Sequence, residues 1–81
     1  RSMAARAIHH LFAAGESIVR QGETGSSLFV VLSGSVDVVL EPSGQQVAAI
    51  PAGGFFGEMS MLTGAPRTAT VRAAGDVHAL E

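Results

Sequence analysis

Short apolar runs broken by glycine are the main pattern along this chain, and they predict many short β-strands. Val36, Val38 and Leu40 alternate with polar side chains, with Val39 as the exception, which is typical of a strand with one buried face. Residues 28–32 are uninterrupted apolar positions and predict a strand covered on both faces. Further strands are expected at residues 10–12, 17–20, 47–50, 68–73 and 77–80. Seven or eight strands with turns every eight to twelve residues predict an all-β sandwich, jelly roll or small barrel.

One internal segment favours a helix instead of a strand. Residues 58–62 lie between Gly57 and Gly64 and allow little more than one helical turn. Residues 1–10 are rich in Ala and carry two Arg, so we expect there either the end of an N-terminal helical segment or sequence foreign to the domain. The β-domain itself is expected over residues 11–81.

Composition narrows the classes of function. A chain of 81 residues holds one domain at most, and 47% hydrophobic with 15% charged residues indicates a folded rather than a disordered chain. The net charge of −2 argues against a nucleic-acid contact from this segment, and no apolar run is long enough for a membrane span. The sequence has no Cys, which excludes disulfides and thiolate chemistry. Abundant Ala, Gly and Arg without Lys favours a GC-rich bacterial source.

The residues around the predicted helix carry the candidate chemistry. A helix start led by glycine presents free backbone N–H groups, and these favour an anion. Arg67 lies nine residues after Glu58 beyond a tight turn, so it can fold back and offer its planar set of N–H donors to phosphate oxygens. Ser60 and Thr68 add hydroxyl donors, and the Glu58 carboxylate suits sugar hydroxyls. Together these residues predict a sugar-phosphate pocket with room for one phosphate.

The same residues also admit structural interpretations. Arg67 is compatible with a surface ion pair to Glu58 or Asp76, and Glu58 with an acid that suits the helix dipole. Ser60 is compatible with a small residue that allows close packing. Several apolar residues are more typical of a core than of ligand contacts: Phe55, Phe56, Met59, Met61 and Leu62.

Catalytic and metal-binding sites are not indicated by the sequence. Jelly-roll enzymes of the cupin type bind a metal through several converging His and a carboxylate, whereas His9, His10 and His78 form no spaced pair on a predicted strand. No Ser lies on a strained turn beside a plausible base. We therefore expect no catalytic residue, no metal ion and no cofactor.

Two strings of residues resemble the phosphate-binding cassette of cyclic nucleotide-binding domains. They are Phe56-Gly57-Glu58-Met59-Ser60-Met61-Leu62 and Pro66-Arg67-Thr68-Ala69-Thr70-Val71. That family includes regulatory subunits of cAMP-dependent kinase, the catabolite activator protein and cyclic-nucleotide-gated channels. The resemblance covers residues 11–81 and implies an antiparallel β-roll of about eight strands with one cassette helix. It also implies a regulatory module, not an enzyme, that senses cAMP or cGMP.

The resemblance assigns a set of ligand contacts. Gly57 and the N–H groups after it would cap the cyclic phosphate, and Arg67 would pair with its charge. Glu58 would accept from the ribose 2′-hydroxyl. An apolar wall near the base is expected from Val47, Ala49 and Ile50. The full set of expected cyclic-nucleotide contacts is Gly57, Glu58, Met59, Ser60, Arg67 and Thr68.

The resemblance also implies a larger assembly. In this family the β-roll is followed by helices, and the last of them covers the base as a lid. The present sequence stops at Glu81, where those helices would begin, so we expect a truncated β-roll attached to an effector domain outside these residues. Such a module would act in the cytoplasm or on the cytoplasmic face of a membrane protein. The alternative is a degenerate β-roll that has lost its ligand and serves as an interaction domain.

Overall fold

The described part of the chain forms eight strands and one short helix. A computed structural model describes residues 8–25 and 27–81. The elements in chain order are β1 (His9–Phe12), β2 (Ser17–Val19), β3 (Phe29–Ser33), β4 (Ser35–Leu40), β5 (Gln45–Pro51), β6 (Phe55–Phe56), α1 (Glu58–Thr63), β7 (Thr70–Ala73) and β8 (Val77–Leu80). The strands form two antiparallel four-stranded sheets, with the orders β1-β8-β3-β6 and β2-β7-β4-β5. This architecture confirms the predicted all-β jelly roll.

The apolar core lies between the two sheets. Val31, Val36 and Ala79 have no exposed surface, and the rings of Phe29 and Phe56 stack with centroids 5.1 Å apart. Burial of such side chains stabilises the fold by about 25 cal/mol for each Å² removed from water. The buried cluster consists of Val19, Phe29, Val31, Val36, Phe56, Val71, Ala73, Val77 and Ala79.

Two predicted burial patterns are wrong. In β3, Phe29 and Val31 are buried but Leu32 is 43% exposed, because a sheet in a two-layer sandwich packs through one face only. In β4, the pairing with β5 shifts between Val38 and Val39. Val39 is buried although it lies opposite Thr70 of β7, on the other face from Val38 and Val71, and Leu40 is exposed, so burial in β4 does not follow simple alternation.

The expectation that aromatic and helical apolar residues are core holds in part. Phe56 is buried, but Phe55 is 55% exposed, because adjacent residues of β6 point to opposite faces. Leu62, near the end of α1, is 73% exposed. The side chains of Met59, Ser60 and Met61 lie outside the described part of the structure.

The start of the chain departs slightly from the expected boundary. Residues 1–7, where a helical segment was one expectation, lie outside the described residues. His9 and His10 belong to β1, which pairs with β8 through His9 opposite Leu80 and His10 opposite Ala79. None of the helices among the described residues is both long and apolar enough to cross a membrane.

Candidate functional site

Arg67 is a buried cation in the segment between α1 and β7. Its side chain is 8% exposed. Two backbone hydrogen bonds join it to the loop between β2 and β3: Arg67 N donates to the carbonyl of Glu23 (2.9 Å), and Gly22 N donates to the carbonyl of Arg67 (2.8 Å). The backbone therefore fixes the position of Arg67 although the residue belongs to no strand.

The guanidinium of Arg67 is only partly satisfied. Nη2 donates to the carbonyl oxygen of Ser27 over 3.2 Å, whereas the buried Nη1 has no partner among the described residues. Neither Glu58 nor Asp76, both described, forms an ion pair with it, so those two structural interpretations are wrong. An unsatisfied buried donor costs about 1–3 kcal/mol, and more when it is charged. An anion bound beside Nη1 would remove that cost.

Gly57 allows the backbone to approach this guanidinium. Its φ of +95° suits glycine, and a Cβ built there would stand 2.5 Å from the Ser27 carbonyl oxygen and 2.8 Å from Arg67 Nη1. Real side chains do not tolerate such distances. The glycine therefore keeps open the space next to the unpaired nitrogen.

A cleft of about 120 Å³ brings four of the predicted contacts together: Gly57, Glu58, Arg67 and Thr68. Glu58, the first residue of α1, is half-buried, and Thr68 is exposed. The backbones of Met59 and Ser60 lie in α1, and their side chains lie outside the described part of the structure. A carboxylate acceptor and a cationic donor thus face one small space.

The apolar wall of the cleft is not the one that we expected. It is formed by Val19, Val38 and Val71 with Phe56 and Ala69, whereas Val47, Ala49 and Ile50 do not line it. Val71 lies opposite Val19 in the β2–β7 pairing and opposite Val38 in the β4–β7 pairing. The three valines therefore form one row across three strands. Each is an ordinary strand residue in the sequence, and the row exists only once the strand order is known.

The three histidines lie on the paired strands β1 and β8, and Glu81 lies directly after β8. His9 Nδ1 lies 2.8 Å from His78 Nε2, and His10 Nε2 donates to Glu81 Oε1 over 2.6 Å. Among the described residues, no group of three or more His, Asp or Glu is arranged to hold a metal ion. The pKa of Glu81 is lowered, first because Ser27 donates a hydrogen bond to its carboxylate and then because His10 does.

Comparison with known proteins identifies relatives of this fold and site. Residues 9–81 match the sequence model of the cyclic nucleotide-binding domain. A cAMP-dependent protein kinase regulatory subunit from Mycosarcoma maydis is 39% identical over 66 residues, which are 79% of this chain and 13% of the relative. The chain thus spans a small part of the length of that relative.

Two solved structures extend the likeness to three dimensions. The regulatory subunit of a cAMP-independent protein kinase A from Trypanosoma brucei aligns with a TM-score of 0.86 and 32% identity, over 91% of this chain and 27% of that chain. The regulatory domain of Toxoplasma gondii PKA, crystallised with cAMP, aligns with a TM-score of 0.81 and 33% identity, over 91% and 30%. Since the family match extends over residues 9–81 and the cassette residues meet in one cleft, the chain belongs to the cyclic nucleotide-binding domain family.

Proposed function

We propose that this chain is a regulatory module that binds a 3′,5′-cyclic nucleotide, cAMP or cGMP, and catalyses no reaction. The observation that carries the proposal is the buried Nη1 of Arg67, which has no partner among the described residues and borders the cleft shared with Glu58. A singly charged cyclic phosphate supplies the missing acceptor, and a ribose supplies the hydroxyl that a carboxylate accepts from. The cAMP-bound Toxoplasma gondii neighbour supports the same ligand class.

The binding geometry follows from the residues that line the cleft. Arg67 Nη1 donates to a phosphate oxygen in a site from which water is partly excluded. The Glu58 carboxylate accepts from the ribose 2′-hydroxyl. The row of Val19, Val38 and Val71 contacts the apolar face of the sugar. Met59, Ser60 and Thr68 complete the expected contacts through α1 and the segment before β7.

The signal passes from the cleft through α1. Glu58 is the first residue of this helix, and the exposed Leu62 lies near its end, so a ligand held by Glu58 displaces both. Ligand binding shifts an equilibrium between two states when its affinity for them differs. The output is the repositioning of an attached effector outside residues 11–81, in the cytoplasm or on the cytoplasmic face of a membrane.

Isothermal titration with cAMP and with cGMP tests the proposal. Arg67→Leu should lose measurable binding, because truncating a buried charge pair costs about 2–5 kcal/mol, or roughly thirty-fold to several thousand-fold in affinity. Arg67→Lys should also weaken binding, since an ammonium lacks the planar pair of donors. Arg20→Leu, at an exposed position, is the matched control and should bind as the parent protein does. Equal affinity of Arg67→Leu and the parent protein would rule out the proposed site.

A second function, an interaction domain without a cyclic nucleotide, is favoured by one comparison. The Trypanosoma brucei neighbour has the same fold and belongs to a cAMP-independent kinase, so membership of this family is compatible with loss of the cAMP response. Retention of Glu58 and Arg67 in one cleft argues for ligand binding here. If neither cAMP nor cGMP binds the parent protein in these titrations, the interaction domain is the better explanation of its function.

A further inference from the structure

The backbone carbonyl of Ser27 holds one terminal nitrogen of the Arg67 guanidinium. Nη2 donates to the Ser27 carbonyl, and a Cβ built on Gly25 would stand 3.3 Å from the same nitrogen. Nη1 is the nitrogen that lies against Gly57 and has no partner among the described residues. The Ser27 carbonyl therefore sets which nitrogen borders the cleft.

Ser27 is anchored in turn by Glu81. The hydroxyl of Ser27 donates to Glu81 Oε2, while His10 donates to Oε1 over 2.6 Å. The backbone of Glu81 continues the pairing of β1 with β8, because Glu81 N donates to the Ile8 carbonyl (2.8 Å) and Ile8 N donates to the Glu81 carbonyl (3.1 Å). The backbone of Glu81 is hydrogen-bonded to Ile8, and both of its carboxylate oxygens accept hydrogen bonds. Glu81 therefore restrains the end of the β2–β3 loop through Ser27.

We propose that Ser27 and Glu81 are positioning residues for Arg67, so that the residue directly after β8 controls how well the cleft binds a phosphate. The inference rests on the proposed function, in which Arg67 pairs with a cyclic phosphate. Residues 20–25 of the loop are exposed, so few packing contacts restrain the segment that carries Ser27. The hydrogen bond to Glu81 restrains the end of the loop that carries Ser27, in addition to the backbone hydrogen bonds that join Gly22 and Glu23 to Arg67.

The negative charge of Glu81 and its positioning role predict opposite effects of Glu81→Ala on the affinity for a phosphate. The carboxylate is negative and by itself repels a phosphate, so its removal would strengthen binding if charge dominated. Its charge is partly exposed, with 30% of the side-chain surface open to solvent, and is therefore screened. If positioning dominates, Glu81→Ala weakens binding, whereas Glu81→Gln retains an oxygen acceptor for Ser27 and binds more tightly than Glu81→Ala.

The affinity for cAMP measures the consequence of positioning. Ser27→Ala and Glu81→Ala should each bind cAMP about three- to tenfold more weakly, which is the effect of losing one hydrogen bond of ordinary strength. Ser27→Thr restores the hydroxyl and should return the affinity to within about twofold of the parent protein. Ser43→Ala, in the exposed turn before β5, is the matched control and should leave the affinity unchanged.

The mobility of the Arg67 side chain measures positioning without any ligand. In the parent protein, the ¹⁵N-¹H NOE of Arg67 Nε–Hε should be that of a restrained group, and it should fall in Ser27→Ala and Glu81→Ala but not in Ser43→Ala. The inference would be overturned if Ser27→Ala and Glu81→Ala changed neither this NOE nor the cAMP affinity. It would also be overturned if the affinity fell while the NOE stayed unchanged. Failure of Ser27→Thr to restore the affinity would also overturn it. Should the parent protein bind neither cAMP nor cGMP while the NOE falls as expected, the proposed function fails and the positioning of Arg67 stands.

Discussion

At the scale of single residues, Arg67 combines properties that folding alone disfavours. It is charged and 8% exposed, and one of its terminal nitrogens has no partner among the described residues. Replacing a poorly paired buried charge by an apolar side chain of similar size is often neutral or stabilising. We therefore expect Arg67→Leu to leave the free energy of unfolding unchanged or to raise it, although the same variant should lose cyclic-nucleotide binding. Urea denaturation of both proteins without ligand measures this, and a loss of several kcal/mol would show that Arg67 serves the fold.

The proposed contact between Glu58 and the ribose 2′-hydroxyl can be tested with a ligand that lacks this hydroxyl. The carboxylate is half-buried at the start of α1 and lines the cleft with Arg67. We predict that 2′-deoxy cAMP binds the parent protein more weakly than cAMP, because the half-buried acceptor then lacks a partner, at a cost of about 1–3 kcal/mol. Against Glu58→Ala, the deoxy ligand should lose little further, because the two changes remove the same contact. If the losses of affinity from Glu58→Ala and from the missing 2′-hydroxyl simply add, Glu58 does not contact the ribose.

At the scale of elements, a feature could be predicted when local sequence determines it. Gly57 and Gly64 bracket the predicted helix at 58–62, and α1 is Glu58–Thr63, because backbone freedom at its ends is a property of those residues. The burial of Val39 depends on its neighbours in other strands, with Thr70 of β7 opposite it, so the sequence of β4 alone did not predict it. The valine row of the cleft depends on three strands and was missed for the same reason.

Gly57 gives a prediction at the junction of β6 and α1. Gly57→Ala and Gly64→Ala both place a side chain at positive φ, which costs about 1–2 kcal/mol. A Cβ at Gly64 meets no atom within 4 Å, whereas one at Gly57 meets the Ser27 carbonyl and Arg67 Nη1. Denaturant unfolding should therefore show a larger loss of stability for Gly57→Ala than for Gly64→Ala. Equal losses would mean that the backbone approach to Arg67 is not tight.

At the scale of the whole molecule, the site is assembled from distant parts of the chain. The cleft combines β2, β4, β7, the β6–α1 junction and the segment before β7, while Glu81, directly after β8, reaches the β2–β3 loop. The sequence predicted Gly57, Glu58, Arg67 and Thr68 as neighbours because they lie in one short stretch. It did not predict Val19, Ser27 or Glu81 as neighbours of the site, because their proximity follows from the order of strands in the two sheets.

Glu81 predicts how stability responds to acid. Hydrogen bonds from Ser27 and then His10 lower its pKa from the ordinary value of 4.5, so the folded protein binds this proton more weakly than the unfolded chain. The stabilisation is therefore present above pH 4.5 and is lost as the pH falls through the lowered pKa. The difference in unfolding free energy between the parent protein and Glu81→Gln should shrink as the pH is lowered through this range. In a Ser27→Ala background the same difference should depend less on pH, and an identical dependence would exclude Ser27 as the main cause.

The size of the cleft predicts how these 81 residues treat different bases. Pockets that enclose a small organic ligand measure roughly 300–1,000 Å³, whereas this cleft is about 120 Å³. Its polar groups, led by Arg67 and Glu58, suit a phosphate and a ribose, so we expect the base to extend beyond the cleft. Base burial then adds little to affinity, and we expect cAMP and cGMP to bind weakly and within about threefold of each other. Titration of the two nucleotides, with cyclic CMP as a third base, measures the ratio. A preference above roughly thirty-fold for one base would mean that residues of the β-roll itself read the base, and Thr68→Ala is the first variant in which to look for its loss.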